Sequence, residues 1–261
     1  MRIPFEKYHG TGNDFVLLDI RHHAIPEDAD TIAQICHRRY GIGADGLILL
    51  GNSDDHDFSM RYFNADGHES SMCGNGGRCI TAFARQLGII QQECSFLAVD
   101  GTHQASIISE EGKISIVRLQ MMDVEIGQWN EDDIFLDTGS PHLVKECSLI
   151  QSLDVMTEGR RIRHDERFAP GGTNVNFIEE SSKGLNIRTY ERGVEAETLS
   201  CGTGVTAGAL AWSLRKHIEG PIKVMSMGGL LKVHFNRKED HFTDIYLEGP
   251  AAHVFSGELD I

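Results

Sequence analysis

Met72-Cys73-Gly74-Asn75-Gly76-Gly77-Arg78-Cys79 opens the run that decides the fold, because it has a second copy in Ser200-Cys201-Gly202-Thr203-Gly204-Val205-Thr206. Upstream of the first, Arg61-Tyr62-Phe63-Asn64 closes a strand pattern, and eight residues, Ala65 to Met72, lead to the Cys. Upstream of the second, Thr189-Tyr190-Glu191-Arg192 does the same, with Gly193 to Ser200 as the connection. Each position in the second window lies 128 residues after its counterpart in the first. Two fainter echoes keep the same order. Thr11-Gly12-Asn13 before Phe15-Val16-Leu17-Leu18 answers to Thr138-Gly139-Ser140 before Pro141-His142-Leu143-Val144. Gly41-Ile42-Gly43-Ala44-Asp45 answers to Pro170-Gly171-Gly172-Thr173-Asn174. Ordered self-similarity at nearly one spacing reads as an internal duplication.

Short apolar or alternating runs read as strands at 14–20, 46–51, 57–63, 95–100, 102–109 and 113–119 in the first copy. The second copy has them at 133–137, 142–146, 173–179, 184–190, 222–227, 229–235 and 242–248. Glu110-Glu111-Gly112 marks a hairpin. Helices are expected at 28–40, with Ala29, Ile32, Ala33, Cys36 and Tyr40 on one face, at 74–88, and at 202–217. The last is apolar nearly all round at its start and so belongs inside. The expected fold class is α+β: two pseudo-twofold-related halves, each a mostly antiparallel sheet or barrel around a central helix that begins after Cys-Gly-x-Gly. The halves are expected at 1–118 and 119–249, with 250–261 returning to the first. The boundary falls in the acidic stretch 118–132.

The chain has 261 residues, 24 Lys+Arg against 39 Asp+Glu, and a formal net charge of -15. Nucleic acid and anionic membrane surfaces reward basic faces, so neither is the expected partner. No apolar run approaches the roughly 18 residues of a membrane helix, and the N-terminus lacks a signal-peptide pattern, so a soluble cytoplasmic protein is expected. Six Cys occur without C-x-x-C or zinc spacing, so neither a disulfide framework nor a metal is expected.

A helix N-terminus offers unpaired N–H groups and the positive end of the helix dipole. A Cys placed there gains thiolate character, and glycines after it let an anion approach the backbone. Two such sites suit stereoinversion beside a carboxylate. One thiolate removes the α-proton, and a thiol on the other face returns one. The helix ends would stabilise charge developing on the carboxylate.

His9-Gly10-Thr11-Gly12-Asn13-Asp14-Phe15, Phe63-Asn64-Ala65-Asp66-Gly67, the Cys73 motif, and Tyr190-Glu191-Arg192-Gly193 through Cys201-Gly202-Thr203-Gly204 closely resemble the diaminopimelate epimerase family. The resemblance runs in order from residue 5 to about 250. It implies interconversion of LL- and meso-2,6-diaminopimelate without cofactor, in lysine and peptidoglycan precursor synthesis. It implies Cys73 and Cys201 as the acid/base pair, with His142 and Glu191 tuning them. It implies substrate contacts from Asn13, Asn64, Gly74, Asn75, Asn174, Glu191, Arg192, Gly202 and Thr203, and it favours a homodimer. Arg192 and Glu191 would meet the carboxylate and ammonium of the substrate's far end.

Two family positions depart: Gly46 stands where Gln is usual and Ser140 where Asn is usual, though Ser140 retains a hydroxyl to donate. Proline and hydroxyproline racemases, the alternative within this fold, have His after the first Cys-Gly where this chain has Asn75. A cysteine hydrolase, with His142 or His9 as base, would leave the second Cys-Gly-x-Gly unexplained, and the absence of C-x-x-C speaks against a redox dithiol. A ligand-binding protein without turnover is the remaining alternative.

Overall fold

A computed structural model describes every residue except Met1, His23, 127–132 and Ile261. In chain order the first copy comprises β1 (Arg2–Gly10), β2 (Asn13–Asp19), α1 (Ala29–Cys36), β3 (Gly46–Gly51), β4 (Phe58–Asn64), β5 (Glu69–Ser70), α2 (Gly74–Gln86), β6 (Glu93–Ala98), β7 (Gly101–Glu111) and β8 (Ile114–Gln120). The second comprises β9 (Val124–Glu125), β10 (Asp133–Asp137), β11 (Pro141–Glu146), α3 (Val155–Arg163), β12 (Asn174–Ser181), β13 (Gly184–Glu191), β14 (Ala196–Thr198), α4 (Gly202–Lys216), β15 (Ile222–Ser226) and β16 (Gly229–Arg237). The long β17 (His241–Asp260) ends the chain. Two compact units result: Met1–Leu119 with Gly249–Ile261, and Gln120–Glu248. The expected acidic boundary lies partly outside the described residues.

Within the first unit the strand pairs close a ring. β1 pairs antiparallel with β2, β2 parallel with β3, β3 antiparallel with β4, and β4 parallel with β6. β6, β7, β8 and the second part of β17 follow antiparallel, and β17 returns to β1. This is an eight-stranded barrel. The second unit repeats the sequence of pairings through β10, β11, β12, β13, β15, β16, the first part of β17, and β9. β9 touches β10. In each unit, therefore, the closing strand comes from the chain segment that follows the other copy's last strand.

One helix fills each barrel. Gly74 to Ala84 of α2 are all buried, as are twelve of the fifteen residues of α4. Glycines permit this closeness. A Cβ on Gly76 would press on Ile48 and Met60, and one on Gly208 would lie 2.9 Å from Ile187 Cδ1. A second helix covers the barrel's outside. In the first unit α1 packs with Ile3, Phe5, Val16, Leu18, Leu47, Leu49 and Phe63. In the second, α3 contributes Val155 and Ile162 to a cluster with Leu143, Val175, Phe177 and Tyr190. Strands covered on both faces read as continuous apolar runs, which explains Phe15-Val16-Leu17-Leu18.

Three expectations need correction. The first helix ends at Cys36 rather than 40, because the His37 ring accepts the N–H groups of Arg39 and Tyr40 and turns the chain. Tyr40, expected on the buried face, is 77% exposed. The two windows are also not congruent at every position. Leu47 pairs with Phe63, but Val175 pairs with Tyr190. The turn after β13 closes with Glu195 N–H on Glu191 O, whereas that after β4 closes with Gly67 N–H on Asn64 O. It is one residue longer, so Glu191, not Arg192, takes the register position of Asn64.

Candidate active site

Cys73 and Cys201 are the N-cap residues of α2 and α4, both with extended backbone (φ −100°, ψ 146° and φ −104°, ψ 114°). Neither helix has an acidic residue in its first turn, so the positive end of each dipole is unopposed there. The Cys73 Sγ accepts the Gly76 N–H at 3.2 Å, the place an N-cap oxygen usually takes.

None of the other four cysteines caps a helix. Burial pushes the thiol of Cys36 up to about 11 and that of Cys94 up to about 12. It also raises Cys79 and Cys147. They stay protonated at neutral pH and are packing residues. All six are thiols.

Around Cys73 the polar groups form one chain. The Cys73 S–H reaches Asn13 Oδ1 at 4.0 Å, and Asn75 Nδ2 donates to the same oxygen at 3.2 Å. Asn13 Nδ2 donates to Asp45 at 2.8 Å. Beneath them lies Arg78, wholly buried. Its guanidinium donates to Gly74 O at 2.9 Å, Asn75 Oδ1 at 2.8 Å and Thr11 Oγ1 at 3.4 Å. It makes no salt bridge among the described residues. Asp14 flanks the site. Burial opposes its ionisation, but Arg38 and Lys7 outweigh burial and hold its carboxyl well below the usual range. Asn64 lies exposed at the end of β4, paired with Gly46. A Cβ on Gly46 would sit 2.5 Å from both Phe63 O and the Tyr62 ring, so no longer side chain fits there.

Around Cys201 the chain is different. Its Sγ lies 3.4 Å from Thr203 Oγ1, which lies 2.9 Å from His142 Nε2. Thr138 Oγ1 donates to Thr203 O at 2.9 Å. His142 is fully buried, and burial pushes its imidazole down to about 3, with the charge of Arg192 adding to the shift. Asn174, also buried, donates to Ser140 Oγ at 2.8 Å and Pro141 O at 2.9 Å, and accepts the Arg192 N–H at 2.8 Å. Ser140 is thus an acceptor towards Asn174, and its own proton is left for another partner. Glu191 and Arg192 are half-buried at the end of β13 and the turn that follows it.

The structure thus gathers Asn13, Gly74 and Asn75 at Cys73, and His142, Gly202 and Thr203 at Cys201, with Arg192 bonded to Asn174. Sequence reasoning missed Arg78, Thr138, Asn176 and Thr189. Arg78 within an apolar helix and Asn176 between Val175 and Phe177 were visible signals, since buried polar groups require partners. Among the described residues no group of three or more His, Cys, Asp or Glu could hold a metal, and no helix is long and apolar enough to cross a membrane.

Comparison with known proteins agrees on one family. The diaminopimelate epimerase family profile matches residues 5–126 and 134–254. A diaminopimelate epimerase from Flavobacterium psychrophilum is 47% identical over 252 residues, 95% of this chain and 97% of that protein. One from Chlorobaculum tepidum is 44% identical, covering 97% and 99%. Among solved structures, a phenazine biosynthesis protein of the PhzF family from Bacillus anthracis superposes with a TM-score of 0.74. It covers 100% of both chains at 16% identity, a likeness of fold.

Proposed function

Given that the chain belongs to the diaminopimelate epimerase family, we propose that Cys73 and Cys201 are its two acid/base groups. The enzyme is an isomerase of lysine biosynthesis whose substrate is a small amino acid. In the proposed reaction one sulfur, as thiolate, takes the α-proton of diaminopimelate. The other, as thiol, delivers a proton to the opposite face of that carbon. The reverse direction exchanges the roles.

The observation behind this reading is that these two cysteines, alone of six, cap buried helices at glycine-rich starts. The remaining four sit where burial keeps them protonated. The backbone N–H groups after each cap, from Gly74 and Asn75 and from Gly202 and Thr203, are oriented for a carboxylate. Negative charge that develops there on proton removal would be met by fixed dipoles. Asn13, Asn64 and Asn174 supply amides, and Arg192 with Glu191 the charges for the distal amino-acid head.

The hydrolase alternative requires a histidine that accepts a proton directly from the thiol. His142 reaches Cys201 only through Thr203, which disfavours that role.

The test is Cys73→Ala and Cys201→Ala, each incubated with LL-diaminopimelate in D2O. Each is expected to abolish formation of the meso isomer with circular dichroism unchanged, while wild type incorporates deuterium at one α-carbon. Near-normal turnover by either variant would overturn the two-base assignment.

A further inference from the structure

The structure assigns Asn176 as a positioning residue that fixes the tautomer of His142 and, through Thr203, aims a hydroxyl proton at Cys201. The inference rests on the reading of Cys201 as an acid/base thiol.

Asn176 is wholly buried on β12, facing the start of α4. Its amide can be oriented in only one way. Nδ2 lies 3.2 Å from Leu143 O, which can only accept, and Oδ1 takes the Thr189 hydroxyl at 2.9 Å. The second amide hydrogen then points at His142 Nδ1, 3.0 Å away. A donor there makes Nδ1 the acceptor nitrogen, so in the neutral ring the proton sits on Nε2. Burial and Arg192 keep the ring neutral, which leaves no second N–H to blur the assignment.

The consequence passes to the thiol. Nε2–H donates to Thr203 Oγ1 at 2.9 Å. With that lone pair used, the Thr203 proton turns to the sulfur of Cys201 at 3.4 Å. A hydroxyl held this way favours the thiolate over the thiol. Gly204 makes the arrangement possible: a Cβ there would lie 2.5 Å from Asn176 Oδ1, so the helix reaches the amide only because residue 204 has none. The first copy has no amide at the matched position. The residue 128 positions before Asn176 is the apolar Ile48, and the polar chain there runs through Asn13, Asn75 and Arg78.

Three measurements test this on the full-length protein. Nitrogen-15 NMR of histidine-labelled wild type should show His142 with Nε2 protonated and Nδ1 bare; the reverse tautomer would overturn the proposal outright. Next, the pH dependence of iodoacetamide alkylation at Cys201 is measured in a Cys73→Ala background. Asn176→Leu should raise its midpoint by about one to two pH units, as expected for losing a hydrogen bond to a charged group. In the enzyme with both cysteines, kcat should fall about ten- to a hundredfold with KM changed little. Thr203→Val should produce the same midpoint shift, Thr203→Ser should not, and Asn176→Leu added to Thr203→Val should add almost nothing. Additive shifts, or an unchanged midpoint in Thr203→Val, would refute the relay even if Asn176→Leu failed to fold. Cys201→Ala tests the functional reading separately: should that variant retain turnover, the thiol's assignment falls while the histidine tautomer stands or falls on the NMR result.

Discussion

Acid should reveal how deeply His142 is committed to its neutral form. Its folded value of about 3 lies well below the ordinary 6.5, driven first by complete burial. In the unfolded chain the ring takes a proton as pH falls through about 6.5. In the native state it does not until about 3. Between those limits the unfolded state binds more protons, so stability falls as pH falls; above about 6.5 the contribution is fully present. At about 1.4 kcal/mol per pH unit, the gap between about 3 and 6.5 amounts to about 5 kcal/mol, of which about 3 is lost by pH 4.5. His142→Gln has no titrating group, so the difference in unfolding free energy between wild type and His142→Gln isolates this ring. Groups common to both cancel. Urea unfolding followed by circular dichroism at pH 7.5 and 4.5 measures it. The expected result is a wild-type advantage that shrinks, or a disadvantage that grows, by about 3 kcal/mol at the lower pH. A difference constant within about 0.5 kcal/mol would mean that the ring titrates alike in both states, and the argument from burial would fail.

Other perturbations have equally definite outcomes. Arg192→Ala removes the proposed partner of the distal carboxylate and should cost about 2–5 kcal/mol in kcat/KM, some thirty- to several-thousand-fold; a loss under about fivefold would remove Arg192 from the distal pocket. Arg78→Met strips donors from Gly74 O and Asn75 Oδ1. At about 1.5–3 kcal/mol per lost hydrogen bond to a charged group it should lower stability in urea by about 3–6 kcal/mol, and a change below about 1 would show that water replaces the guanidinium. Gly46→Ala places a Cβ 2.5 Å from the Tyr62 ring and should destabilise by about 1–3 kcal/mol, read as a lower melting temperature; an unchanged one would show that the ring moves aside freely.

How much of this was legible beforehand differs by element. Strands covered on both faces announce themselves: Gly46-Leu47-Ile48-Leu49-Leu50-Gly51 is a strand at the limits its apolar run suggested. α4 was legible because every side of its first turns is apolar. β1 is hidden in the sequence because a register shift between Lys7 and Tyr8 breaks the alternation that Ile3 and Phe5 begin, and because the buried residue that follows is a lysine. α3 was passed over because only Val155 and Ile162 mark its inner face. The third contact is Gly159, whose missing side chain admits the Tyr190 ring, and an absent side chain leaves no hydrophobic signal. At the site, the two capping cysteines were readable from repetition. The groups that orient them were not, because Asn176 and Thr189 reach their partners across strands and Thr138 reaches the start of α4, and single-chain spacing does not encode those pairings.

The same limit explains why a duplicated fold yields two unlike thiols. Both barrels share strand order, central helix and N-cap cysteine, all set by backbone pattern. The residues that surround each sulfur sit at matched places but differ in kind. Cys73 faces an amide, Asn13, whose partner Asn75 is held by a buried guanidinium. Cys201 faces a hydroxyl, Thr203, held by a neutral imidazole. A directed hydroxyl donates and so favours a thiolate at Cys201; at Cys73 the Asn13 oxygen accepts from S–H while the Gly76 N–H donates to the sulfur, so the two contacts pull in opposite directions. A two-base inversion needs one group in each state before substrate binds. Identical surroundings would give both sulfurs the same proton affinity and populate that mixed state no more than chance allows. On the proposed two-base reading, divergence of the side chains around a shared backbone pattern is what turns two copies of one half into an acid and a base.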